Sequence, residues 1–145
     1  MTAIGTVTTY NGDRTSEIVL LAARNSENGK PSSTGIGLSV QKLINLYNKA
    51  PDVVTLRLYS TAISGAGQAT ARLWGHSPTS GWAPVGFGPD NAKGTLNNGQ
   101  AIGESDTDKI QHAEPIALPT HFDELYLEIT AIANATVEAT LVITR

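Results

Sequence analysis

The sequence predicts an all-β fold, an antiparallel β-sandwich or jelly roll of seven or eight short strands, and three observations predict it. Apolar and polar residues alternate with a period of two in several runs, most clearly at residues 125–131 and 135–143. Turn-forming clusters of Gly, Pro, Asn and Ser separate these runs along the whole chain. Between residues 75 and 100 glycine and proline are so frequent that no long helix fits.

The C-terminal stretch organises the rest. Leu125, Leu127, Ile129 and Ala131 fall on one face, opposite Tyr126, Glu128 and Thr130. Ala135, Val137, Ala139, Leu141 and Ile143 likewise oppose Thr136, Glu138, Thr140, Val142 and Thr144. With Ile132-Ala133-Asn134 between them, the two runs read as a hairpin with one buried and one wet face. A hairpin alone is marginal in water, so another sheet or a partner chain must cover it.

Taken in order, residues 1–10 alternate weakly and stop at Asn11-Gly12-Asp13, a turn signal, which predicts an N-terminal strand or arm over residues 1–14. Residues 15–145 then form one sandwich domain. Residues 15–24 hold an apolar run too brief for periodicity to separate strand from helix, and strand is favoured. Residues 25–37 have no period and little apolar surface, so a long exposed loop is expected, of a length that is usually functional or mobile. Residues 39–48 fit both templates: Val40, Leu43, Ile44 and Tyr47 at helical spacing, or Val40, Lys42, Ile44 and Leu46 as a strand. The β-rich flanks favour the strand. Residues 53–60 and 69–74 alternate cleanly around Ser64-Gly65-Ala66-Gly67 and predict a second hairpin. Shorter islands follow at residues 82–87 and at residues 109–116, where Pro115 is expected to close a strand.

Composition narrows the function classes. The chain has 145 residues, enough for one self-sufficient core, and no cysteine, which removes disulfides and thiolate metal sites. Its start has neither a basic region nor an apolar run, and no run is long enough to span a bilayer, so a soluble, untargeted chain is expected, with no membrane partner. A net charge of -3 with scattered Lys and Arg provides no basic stripe, which argues against nucleic acid. Charged residues make up only 16% of the chain, a surface that suits packing into a larger assembly and a plain β-sandwich alike.

No constellation announces catalysis. His76, His112 and His121 stand apart from other ligands at metal or general-base spacing and read as structural or surface histidines. No nucleophile elbow, dinucleotide fingerprint or P-loop is present, and the Gly-x-Gly fragments read as turns. Glu104, Asp106 and Asp108 alternate in a run that could hold a hard cation, but the rest of a calcium loop is missing and a solvated acidic turn is the better reading. Asn134-Ala135-Thr136 is a glycosylation sequon by letter only. No cofactor and no metal are therefore expected. Trp74, Trp82 and Tyr59 are the candidate interaction residues: their rings could stack on a sugar, or plug a sandwich end or a subunit contact.

The succession of short strands, with Leu56-Arg57-Leu58-Tyr59, Ala71-Arg72-Leu73-Trp74-Gly75, Gly81-Trp82-Ala83-Pro84-Val85-Gly86, Asn98-Gly99-Gln100-Ala101-Ile102-Gly103, His112-Ala113-Glu114-Pro115-Ile116 and Leu125-Tyr126-Leu127-Glu128-Ile129, resembles the small β-sandwich structural proteins of tailed bacteriophages, head decoration or cement proteins above all. The likeness spans residues 53–145 and carries no site residue over. It implies a non-catalytic viral structural protein on the outer surface of the virion capsid, made in the host cytoplasm. It further implies a homotrimer that binds the major capsid protein across coat-subunit boundaries. The alternative is a carbohydrate- or receptor-binding module of a phage tail or fibre, which requires at least two of the rings of Trp74, Trp82 and Tyr59 to lie exposed together.

Overall fold

A computed structural model describes residues 3–47, 53–85, 95–96, 111–117 and 121–144. Among these residues eight strands and one short helix follow in the order β1 (Val7–Tyr10), β2 (Thr15–Arg24), β3 (Leu38–Ser39), α1 (Val40–Tyr47), β4 (Val53–Ser77), β5 (Gly81–Pro84), β6 (Thr95–Leu96), β7 (Gln111–Ala117) and β8 (Glu124–Thr144). The fold is all-β, and every strand pairing is antiparallel. The strands form one hydrogen-bonded sheet in the order β1-β2-β8-β4-β5, with β3 also on β8 and β6 and β7 also on β4.

Both expected hairpins are corrected. Residues 53–60 and 69–74 belong to one continuous strand, β4, and residues 125–131 and 135–143 to another, β8; these two pair with each other from Thr55↔Val142 to His76↔Glu124. The Gly-rich segment at residues 64–67 does not reverse the chain. It is absorbed as extra length, because register shifts fall between Ser60 and Ala62 and between Ile63 and Gln68. Between the pairs Leu56↔Leu141 and Leu73↔Leu127, β4 advances 17 positions and β8 only 14. That odd surplus flips the inward set of β4 from even positions (Val54, Leu56, Leu58) to odd ones (Ala69, Ala71, Leu73), while β8 buries odd positions on both sides of its middle (Leu125 to Ile129 and Ala135 to Ile143); Ala131, expected inward, is exposed beside the register shift at Thr70/Ala71.

A straight strand of 25 residues would be about 80 Å long. Instead, buried residues from both halves of the ladder belong to one apolar cluster, with Ile18, Leu20, Leu56, Leu73, Leu127 and Leu141 at or near zero exposure. One apolar cluster thus joins the inward faces of both halves of the ladder.

Residues 39–48 are not a strand: Val40–Tyr47 is a helix. Val40 and Leu43 are fully buried in the shared core and Ile44 packs against it, which is the i, i+3, i+4 set. A strand would have buried Lys42 along with Val40 and Ile44, whereas the helix leaves Lys42 exposed. Residues 15–24 are a strand as expected, and Asn11 and Asp13 take positive φ in the β1–β2 turn, where Asn and Asp are tolerated. Pro115 does not close β7 but sits inside it opposite Thr55. An outer strand on β4 tolerates the missing N–H.

Candidate functional site

Because the inward face is aliphatic, the polar and aromatic side chains that could make a site lie on the outward face of the β4–β8 ladder, and its two halves differ. In the half nearer the C-terminus, Glu17 of β2 is the hub. Its Oε1 accepts from Arg57 Nη1 and from Thr140 Oγ1 at 2.9 Å, and its Oε2 accepts from Tyr10 of β1 at 2.6 Å. Arg57 also lies over the Tyr59 ring, 5.1 Å from its centroid, and the Tyr59 hydroxyl donates to Glu138 Oε2 at 2.7 Å. Four strands are thus linked on their outer side.

Burial alone would raise the Glu17 carboxyl, but the donated bonds of Tyr10 and Thr140 and the Arg57 charge together leave it below the usual glutamate range. Burial first, and then the bond to Glu138 and its charge, push the Tyr59 phenol well above the ordinary tyrosine value. Tyr10 is raised too, chiefly because its proton is held by Glu17.

In the other half the outward face is aromatic. Trp74 stands opposite Tyr126 and Pro84 in register, and Trp82 opposite His76, which places all five on one face. Trp82 meets His76 edge-on at 5.1 Å and Tyr126 at 6.1 Å between centroids. Each polar handle is engaged: Trp74 Nε1 donates to Glu128 Oε1 at 2.9 Å, Trp82 Nε1 to the Ser33 carbonyl at 3.2 Å, and His76 Nδ1 lies 2.8 Å from Asp123 Oδ1. Burial raises the Tyr126 phenol, whose hydroxyl donates to the Gly29 carbonyl at 3.1 Å.

The loop at residues 25–37 is mostly exposed, as expected, yet it is tied down along its length. Asn28 occupies the place of a missing strand beside β8: its Nδ2 donates to the Leu127 carbonyl at 3.1 Å and its Oδ1 accepts from Ile129 N–H at 2.7 Å. Glu124, itself buried, accepts from Gly35 N–H at 3.0 Å and Gly37 N–H at 2.6 Å. Gly37 passes so close to Leu125 that any Cβ there would collide with the Leu125 carbonyl oxygen.

Of the candidate residues, Trp74 and Trp82 therefore share one outward face, half-buried, while Tyr59 lies outward on the other half and is locked between Arg57 and Glu138. His121 is exposed and packs on Phe122 at 4.2 Å beside a shallow depression of about 310 Å³ that also borders Ser39, Gln41, Ile44 and Asp123. Glu104, Asp106 and Asp108 lie outside the described residues, as do the side chains of His112 and Glu114. Among the described residues no three His, Asp or Glu side chains are grouped to hold a metal ion. The sequence reading missed Glu17, Asn28, Arg57, Glu138 and Tyr126. Glu17 had a signal, as a carboxylate flanking an apolar run.

A different surface stands out at the sheet's end. Among the described residues the large apolar side chains left exposed are Ile4, Val7, Tyr10 and Ile36, and three of these four lie on β1 or just before it. All four residues of β1 are exposed, and Val7-Thr8-Thr9-Tyr10 contains neither charge nor proline. The outer strands on the opposite side, β5 and β7, carry Pro84 and Pro115. No protein-family model matches the chain, and no match was found among curated proteins or solved structures.

Proposed function

We propose that this protein is a non-catalytic structural subunit of a larger assembly, and specifically a head decoration protein of a tailed phage that binds the mature shell across coat-subunit boundaries. The observation that carries the reading is the β1 edge, unpaired on its outer side among the described residues, with its exposed Ile4, Val7 and Tyr10. Soluble monomers blunt such edges with charge or proline, because an unpaired row of N–H and C=O groups recruits other chains. The polar outward face supports the same reading, since Glu17, Arg57, Tyr59 and Glu138 are engaged with one another. Binding that exists only in the assembled state stabilises that state by mass action.

Virions of the phage that encodes the chain should contain it in fixed ratio to the coat protein by mass spectrometry. Adding the purified chain to expanded shells that lack it should raise their disruption temperature. Virions free of the chain, or shells whose stability it leaves unchanged, overturn the reading.

One observation favours a second reading, a carbohydrate-binding module: Trp74, Trp82 and Tyr126 lie on one face beside the half-exposed carboxylate of Asp123. Glycan-array binding that Trp82→Ala abolishes would establish it. A blank array with intact shell binding would remove it.

A further inference from the structure

The question left by the open edge is which chain covers it. Val19 directs both of its main-chain groups at the N-terminal segment, donating to the Thr6 carbonyl at 2.9 Å and accepting from Gly5 N–H at 2.8 Å. Register is unbroken from Thr15 to Val19 against β8 and from Thr15 to Ile18 against β1. Alternation along an antiparallel ladder then turns Glu17 and Thr15 toward Thr8 and Tyr10, and leaves the N–H and C=O of Val7 and Thr9 aimed away from β2, into the open side.

We infer that β1 pairs with β1 of a second copy of this chain, antiparallel about a two-fold axis at Thr8. In that register Val7 of each copy lies opposite Thr9 of the other, and the two residues whose main-chain groups face outward satisfy each other reciprocally. Thr8 meets its own symmetry mate in a close, non-hydrogen-bonded pair. The edge is self-complementary in charge as well, since no charged residue lies between Ile4 and Tyr10 to oppose its like. The strands opposite, β5 and β7, carry prolines and offer no equivalent ladder.

Size sets the affinity. A strand of four residues is about 14 Å long, and its contact falls short of the roughly 800 Å² per partner of a stable interface. The free dimer is therefore weak and concentration-dependent. On a shell it gains from effective concentration, because two linked copies stand on neighbouring coat positions, which couples those positions without a large interface. This last use rests on the decoration reading, with two-fold pairs in place of the homotrimer that the resemblance implies; the pairing itself does not.

Sedimentation equilibrium of the purified full chain tests the pairing. The expected result is a monomer–dimer equilibrium in the micromolar to millimolar range. Thr9→Pro removes an outward N–H that β2 does not use and should weaken the dimer at least tenfold, with circular dichroism reporting that the sheet is kept. Thr8→Lys and Thr8→Glu should each be monomeric alone, and an equimolar mixture should dimerise. A chain that is monomeric at every concentration, a trimer, or a dimer that survives Thr8→Lys and Thr8→Glu separately overturns the inference. Virions lacking the chain would remove the decoration reading and leave the dimer standing, whereas a strictly monomeric chain on virions would do the reverse.

Discussion

The two halves of the β4–β8 ladder have the same kind of inside and different outsides. Inward, Leu56, Leu58, Val137 and Leu141 in one half and Ala71, Leu73, Leu127 and Ile129 in the other are equally dry. Outward, one half is held by a carboxylate hub and finished by two further strands, β2 and β1. The other is finished by a loop, whose Asn28 amide bonds to Leu127 and Ile129 where another strand would sit. The difference teaches that aliphatic burial makes the ladder, while the manner of closing each flank decides what remains available to other chains. The loop-closed flank has the main-chain groups of Leu127 and Ile129 occupied by the Asn28 side chain, next to the short β3 pairing at Leu125; the strand-closed flank moves the problem outward to β1.

Substitutions in the shared interior should cost the most. Leu141→Ala and Leu127→Ala should each destabilise the fold by about 2–5 kcal/mol, because each leaves a cavity in the same core. Urea denaturation should show a single transition in both; two transitions would mean that the halves do not share one interior. Next in size is Gly37→Ala, expected to cost about 1–3 kcal/mol as an overpacked site, since the new Cβ meets a backbone oxygen that cannot rotate away. Asn28→Ala should fall in a similar range, about 1–3 kcal/mol, by leaving the Leu127 carbonyl and the Ile129 N–H without their partner. Hydrogen exchange at Ile129 should quicken in that variant while exchange at Leu141 changes little. A uniform change at both would show that Asn28 is not a local closure.

The smallest effect belongs to the hub. Glu17→Gln should cost about 1 kcal/mol, a modest figure because Arg57 and Glu17 remain partly open to water. The Glu17 carboxyl lies lower in the folded state than in the unfolded chain, so its contribution is present above the ordinary glutamate range and is lost as pH falls through the lowered value. Stability of the parent protein should therefore decline on acidification more steeply than that of Glu17→Gln. Parallel pH profiles would show that the hub adds nothing.

The strands were largely legible in the sequence, while their partners were not. Alternation at residues 53–58, 125–129 and 137–143 marks a buried face whichever strand lies alongside, so it could not distinguish two hairpins from two long strands pairing with each other. Ser64-Gly65-Ala66-Gly67 has the composition of a turn and of a bulge alike. Residues 39–48 were ambiguous because eight residues hold too few periods, and burial of Leu43 with Val40 decided for the helix. Alternation already put Tyr59 and Trp74 on the outward side of their runs, but which other side chains share that side, Tyr126 and Trp82 beside Trp74 and Glu138 beside Tyr59, depended on the strand partners. Asn28 gave no signal, since one amide in a polar loop looks like any other until a strand passes beside it.

The length of the β4–β8 pairing dictates how the chain must come together. His76 and Glu124 are 48 positions apart in sequence, whereas Thr55 and Val142 are 87 apart, so closing the ladder from its near end costs less chain entropy than closing it from its far end. The β4–β5 reversal, from Ser77 to Gly81, is the shortest-range pairing available to start from. Assembly should thus zip away from that reversal, with β2 annealing onto the C-terminal part of β8 only after that part has been laid against β4. During this slow, non-local search the aliphatic faces of both long strands stand bare, which makes dilution and low temperature the favourable conditions for refolding the protein.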